Sequence, residues 1–79
     1  MPRFHFDIRE NGRLIPDERG QEFAHGADVR KEAVTTGASI ARDAFVAGSA
    51  SRVVVDVRED GVPFMKVSIT LDVEGPAEG

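Results

Sequence analysis

The stretch RFHFDIRENGRLIP, residues 3–16, decides how the rest of the chain is read. Phe4, Phe6 and Ile8 alternate with Arg3, His5, Asp7 and Arg9. Strict period two over this length is the pattern of a strand with one buried and one wet face. Glu10-Asn11-Gly12 tolerates the left-handed backbone of a tight hairpin, and Arg13-Leu14-Ile15 then resumes an extended apolar run. Pro16 closes that run, so the second strand is short and belongs at an edge, where a missing N–H is harmless. Pro16-Asp17-Glu18-Arg19-Gly20 reads as a turn, and Gln21-Glu22-Phe23 either extend or cover the sheet end.

From about Ala27 to Ala47 the period lengthens to that of a helix. Ala33, Gly37, Ile40, Ala41, Ala44 and Phe45 fall on one stripe, with Val34 and Ala38 beside it. Either His25 or Asp28 is placed to cap the start, and Gly48 stands where a helix-ending glycine belongs. Gly37 costs a helix interior about 1 kcal/mol against alanine. Its place on the inward stripe therefore predicts a close approach of helix and sheet.

Arg52–Arg58, rich in valine, is a third strand, Glu59-Asp60-Gly61 a second hairpin turn, and Pro63–Glu74 a long fourth strand. On that last strand Met65, Val67, Ile69, Leu71 and Val73 face one way and Phe64, Lys66, Ser68, Thr70 and Asp72 the other. The expected fold is α+β, a ββαββ chain whose four-stranded antiparallel sheet carries one helix packed on one face. Strand orders 2-1-3-4 and 1-2-4-3 both keep all neighbours antiparallel. Residues 1–74 make one domain, and 75–79 are expected to be a disordered tail.

With 79 residues the chain has room for one small core. It has no cysteine, so neither disulfides nor thiolate metal sites are open to it. Stability must then come from packing or from self-association. The N-terminus shows no signal-peptide apolar region and no run reaches the roughly 20 apolar residues of a membrane span. A soluble cytoplasmic protein is expected, with no membrane partner. Ten basic against fourteen acidic residues leave a net charge of −4, which makes nucleic acid an unlikely partner.

The opening resembles a family of small bacterial proteins of unknown function. The residues that carry the resemblance are Met1, Pro2, Arg3, Phe4, Phe6, Ile8, Asn11-Gly12, Pro16-Asp17 and Gly20, with Glu32-Ala33 in the helix. It extends over nearly the whole chain and implies the same order of hairpin, alanine-rich helix and hairpin. It implies no activity, cofactor or catalytic residue. The chain departs from the family pattern before the helix, where Ala24-His25-Gly26 stands in place of a Pro-Asp type of cap.

Candidate chemistry gathers on the sheet face away from the helix. Alternation places Arg3, His5, Asp7, Arg9, Arg52, Val54, Asp56, Arg58 and Lys66 there as a candidate interaction face, joined by Ser68, Thr70 and Asp72. Its five basic and three acidic residues make it weakly basic on an acidic chain, and mixed signs are also how an ordinary wet sheet face stabilises itself. His5 and Asp7 project from one side of a strand and Asp56 would be a third ligand if the strands pair, but zinc wants three or four protein ligands and His25 lies elsewhere. No metal site and no cofactor are expected. No serine or threonine sits in a strand-turn-helix elbow and no phosphate loop is present, so an enzyme is not expected either. Only Phe64, expected on the outer face, offers an aromatic for base stacking.

The favoured expectation is a non-enzymatic interaction module whose partner is a protein, a second copy joined along a sheet edge. Against it stands a monomer protected by the edge charges Lys66, Asp72 and Glu74. The alternative is a nucleic-acid-associated regulator using Arg3, Arg9, Arg52, Arg58 and Lys66.

Overall fold

The computed structural model describes residues 1–76. The elements are β1 (Arg3–Glu10), β2 (Arg13–Ile15), β3 (Gln21–Glu22), α1 (Gly26–Ala47), β4 (Arg52–Glu59) and β5 (Val62–Thr70). The sheet runs β2-β1-β4-β5, antiparallel at every step, with β3 pairing the other half of β1 on the side of β2. This is the 2-1-3-4 order with one addition, since Gln21 and Glu22 pair with Phe4 and Arg3. The outer edge next to β1 is therefore a strand broken in two by the Pro16–Gly20 turn.

Two hairpin turns set the registers. Asn11 and Gly12 have φ of 49° and 95°, and Asp60 and Gly61 have φ of 51° and 81°. Left-handed backbone at both central residues matches the twist of the flanking strands, which is why Asn-Gly and Asp-Gly stand there. Glu10 pairs with Arg13 and Glu59 with Val62 across these two-residue loops.

The core lies between the helix and the inner sheet face. Phe4, Phe6 and Ile8 of β1 join Val53, Val55 and Val57 of β4 under Val29, Ala33 and Ala41 of α1. Val29 is fully buried, one turn ahead of the predicted stripe, whereas Val34 is 40% exposed and Ala38 is also exposed. The helix is thus rotated slightly from the stripe's centre, toward its small residues. Gly37 explains the rotation: a Cβ there would lie 3.0 Å from Val55 Cγ2 and 3.1 Å from Ile69 Cδ1. Alanine and glycine let helix and sheet come this close.

His25 occupies the N-cap with extended backbone but its side chain makes no capping bond, and Asp28 lies in the first turn beside the positive helix end. At the other end Gly48 N–H donates to Phe45 O and Ser49 N–H to Ala44 O, closing the helix as expected.

Two expectations are corrected on β5. The strand stops at Thr70, with one more bond from Leu71 N–H to Ser51 O (2.9 Å). The expected stretch to Glu74 has no strand opposite it, because β4 begins at Arg52. Phe64 is not on the outer face. A β-bulge between Val57 and Arg58 shifts the register there. Phe64 turns to the helix side, 5.0 Å from the Phe4 ring in an edge-on arrangement, with Phe23 stacked similarly against Phe4 and Phe6. Of the expected tail, Gly75 and Pro76 are exposed and outside regular structure, and residues 77–79 lie outside the described residues. No helix among the described residues is long and apolar enough to cross a membrane.

Candidate functional site

The outer sheet face carries a crossed arrangement of charge built by strand register. Asp7 on β1 lies directly opposite Asp56 on β4, a like-charge pair that would be unfavourable alone. Each carboxylate is answered by a diagonal arginine from the other strand. Arg9 Nε donates to Asp56 Oδ2 at 2.8 Å, and Arg58 Nε donates to Asp7 Oδ2 at 2.8 Å with Nη2 reaching Asp7 Oδ1 at 3.4 Å. Asp56 is thus bound to Arg9 and does not complete a metal site with His5 and Asp7. Among the described residues no group of three or more His, Asp or Glu side chains is placed to hold a metal.

Asp17, from the turn that splits the edge, locks the network to β1. Its Oδ2 accepts the Phe6 N–H (3.0 Å) and its Oδ1 the N–H groups of Arg19 (3.2 Å) and Gly20 (3.1 Å). Its own N–H donates to Asp7 Oδ1 (2.9 Å), while Arg58 Nη2 donates to Asp17 O (3.1 Å). The carboxylate therefore substitutes for the strand that is missing opposite Phe6, between the β2 and β3 pairings.

The titration of these groups follows from the contacts. The Arg58 hydrogen bond holds the Asp7 carboxyl below its ordinary range against the opposing effect of burial, helped by the Asp17 N–H and by nearby positive charge. Burial pushes Asp17 upward, but the backbone donors of Phe6, Gly20 and Arg19 outweigh it and the net shift is downward. Arg58 is raised further by its bond to Asp7.

His5 sits half-buried beside these carboxylates, and its Nδ1 is buried without a hydrogen-bond partner. Gly20 packs over the ring so closely that a Cβ there would lie 2.8 Å from His5 Nε2 and 2.9 Å from Phe4 O. The wet side of β1 is therefore covered at this end by the Pro16–Gly20 turn.

The predicted interaction face divides into parts. His5, Asp7, Arg9, Asp56 and Arg58 are brought together in the network. Arg3 lies at the far end, donating to Arg19 O (2.8 Å) and to Glu22 Oε2 (3.3 Å). Val54 points to the outer face as expected and is only 5% exposed. It lies across the ladder from Arg9 and Ser68, with Arg52 and Asp56 beside it on β4, and long side-chain stems shelter an apolar neighbour in this way. Arg52 and Lys66 remain exposed, and neither forms an ion pair among the described residues. In the sequence Asp17 stands only as a turn residue. Its spacing from Asp7 carries no periodic signal, and only the fold brings the two together.

The far edge of the sheet is of a different kind. Among the described residues β5 has no neighbour beyond it. Its inward residues Met65, Val67 and Ile69 are half-buried, and Phe64 (43%) and Leu71 (40%) are exposed.

These features define a small α+β domain: one helix on an antiparallel sheet, a charged network on the outer face across β1 and β4, and a bare strand, β5, at one edge. The chain belongs to the family described as Domain of unknown function (DUF6894), which matches residues 3–70, from the first residue of β1 to the last of β5. Comparison with curated proteins and with solved structures gives no match.

Proposed function

We propose that this domain is a non-enzymatic cytoplasmic interaction module that pairs with a second copy of itself along the open edge of β5. The observation that carries the reading is the bonding alternation of that strand. Leu71 N–H donates to Ser51 O. By the same alternation Ile69, Val67 and Met65 bond to Val53, Val55 and Val57, their register partners. The N–H and C=O groups of Lys66, Ser68 and Thr70 then point away from β4, toward open solvent.

Two-fold antiparallel pairing through those groups sets Ser68 opposite Ser68 of the second copy and Lys66 opposite its Thr70. No like charges meet. On the helix side the same register sets Val67 against Ile69 and Met65 against Leu71. These are the apolar residues that one chain leaves half covered. Pro63 and the bulge at Phe64 blunt the hairpin end of the edge, so the pairing is confined to Met65–Leu71. The absence of catalysis is supported by the carboxylates of Asp7, Asp17 and Asp56, all engaged with guanidinium or backbone donors. The nucleic-acid reading is weakened by the pairing of Arg3 and Arg58 with Glu22 and Asp7.

Sedimentation velocity of the full chain at rising concentration tests the proposal. A mass of two chains is expected, falling to one chain in Ser68→Pro, which removes an outward N–H without breaking the β4 ladder. Circular dichroism checks that the variant stays folded. A single-chain mass for the natural sequence at every concentration overturns it.

A further inference from the structure

Between the first hairpin turn and β5, the outer face holds a concavity of about 270 Å³ lined by Arg9, Asn11, Gly12, Arg52, Val54 and Lys66. Three cationic side chains from three different strands meet over one apolar floor residue, and among the described residues no carboxylate lines the space. On a chain of net charge −4 this is a local reversal of sign. The larger neighbouring groove, about 410 Å³ at the bulge, differs: Asp7 and Asp56 line it together with Arg58 and Lys66, and its charge is balanced.

The three cations are differently committed. Arg9 spends its Nε on Asp56, which fixes the guanidinium while its two terminal nitrogens keep their donors. Arg52 and Lys66 have no ion-pair partner among the described residues. The rim is held by Asn11, whose Oδ1 accepts the N–H groups of Ser51 and Arg52 (both 3.2 Å) and whose own N–H donates to Arg52 O (3.2 Å). This ties the turn to the start of β4 and leaves Asn11 Nδ2 as a neutral donor. Asp56 holds Arg9 and lies opposite Lys66 in the ladder, so one carboxylate offsets part of the charge; an anion between Arg52, Lys66 and the free end of Arg9 relieves the remaining repulsion while accepting their hydrogen bonds.

We infer that this concavity is a binding site for a compact oxyanion, the phosphate or pyrophosphate group of a small molecule. Its volume lies just below the range of roughly 300–1,000 Å³ usual for drug-sized ligands, so a phosphate-bearing head group fits and a bulky ligand does not. Arg9 and Arg52 supply forked donors that match phosphate oxygens, Lys66 a movable point charge, and Gly12 a turn tip with no side chain in the way. The site does not depend on the pairing of β5, because Lys66 projects onto the outer face in either state.

The test is a titration of the full ¹⁵N-labelled chain with sodium pyrophosphate, then inorganic phosphate, at ionic strength held constant with sodium chloride. Saturable amide shifts centred on Asn11, Gly12, Arg52, Val54 and Lys66 are expected, stronger for pyrophosphate. Arg52→Gln/Lys66→Gln should weaken binding about tenfold or more, given the loss of two charged donors. Arg30→Gln/Lys31→Gln, which removes the same charge from the exposed helix surface, should leave it within twofold. Linear shifts spread over all basic residues, or equal weakening in the two double variants, would mean general ion attraction and overturn the inference. Saturable binding of a short oligonucleotide without any site for pyrophosphate would overturn it as well.

Discussion

Replacing Asp17 by alanine removes two acceptor oxygens that together take three N–H bonds. The bonds from Arg19 and Gly20 lie within the turn itself, where water takes over much of the role. The bond from Phe6 N–H is different, because that amide lies in the gap between β2 and β3 and no strand can replace the lost oxygen. Leaving a partly buried donor unmet costs about 1–3 kcal/mol, so Asp17→Ala should lose about 2 kcal/mol in all. For a domain of this length the whole stability is about 4–12 kcal/mol, and the loss should lower Tm by roughly 8–16 °C. Asp17→Asn keeps one carbonyl oxygen and should lose about half as much. The carboxyl is held below its ordinary value in the folded state. Its contribution is therefore complete above the ordinary value of about 3.8 and is lost as pH falls through the lower folded value. Urea unfolding followed by circular dichroism should show a gap between natural chain and variant that is constant from about pH 5 to 7 and narrows below about pH 4. A gap under about 0.5 kcal/mol at neutral pH, or one indifferent to acid, would refute the idea that this side chain replaces a strand.

The remaining predictions concern the same turn and the open edge. Gly20→Ala should destabilise the chain by about 2 kcal/mol, because its φ of 73° is left-handed and its Cβ would press on His5 and the Phe4 carbonyl; Gly12→Ala, with open space around it, should cost less in the same urea assay. The chain has no cysteine, so Ser68→Cys introduces a unique thiol. Under mild oxidation it should form a covalent dimer on gel electrophoresis, whereas Thr70→Cys, which the proposed register sets opposite Lys66 of the second copy, should not. The reverse pattern, in a protein that still sediments as two chains, would reject that register while keeping the association.

Much of this architecture was legible in local patterns because each reports a local constraint. Period-two alternation from Arg3 to Arg9 sorted the phenylalanines inward, and both are buried at 4% and 6%. Asn11-Gly12 and Asp60-Gly61 announced their turns through the backbone they tolerate. Gly37 on an apolar stripe announced close packing through the conformational cost it imposes. Phe64 misled, since alternation counts residues and a bulge adds one to the count. The length of β5 misled as well, since a strand ends where its partner does. Asp17 gave no sign of its role, because its acceptors serve an amide eleven residues away.

What residues 3–70 determined by themselves is the set of elements and which side of each is apolar, because these depend on neighbours within a turn or a strand. Tertiary structure alone decided how the two hairpins meet, and hence that Asp7 faces Asp56, that Asp17 completes the ladder of β1, and that Arg9, Arg52 and Lys66 converge from three strands. Contacts between distant residues depend on the order and register in which the hairpins pair with each other, and no short stretch of sequence contains that.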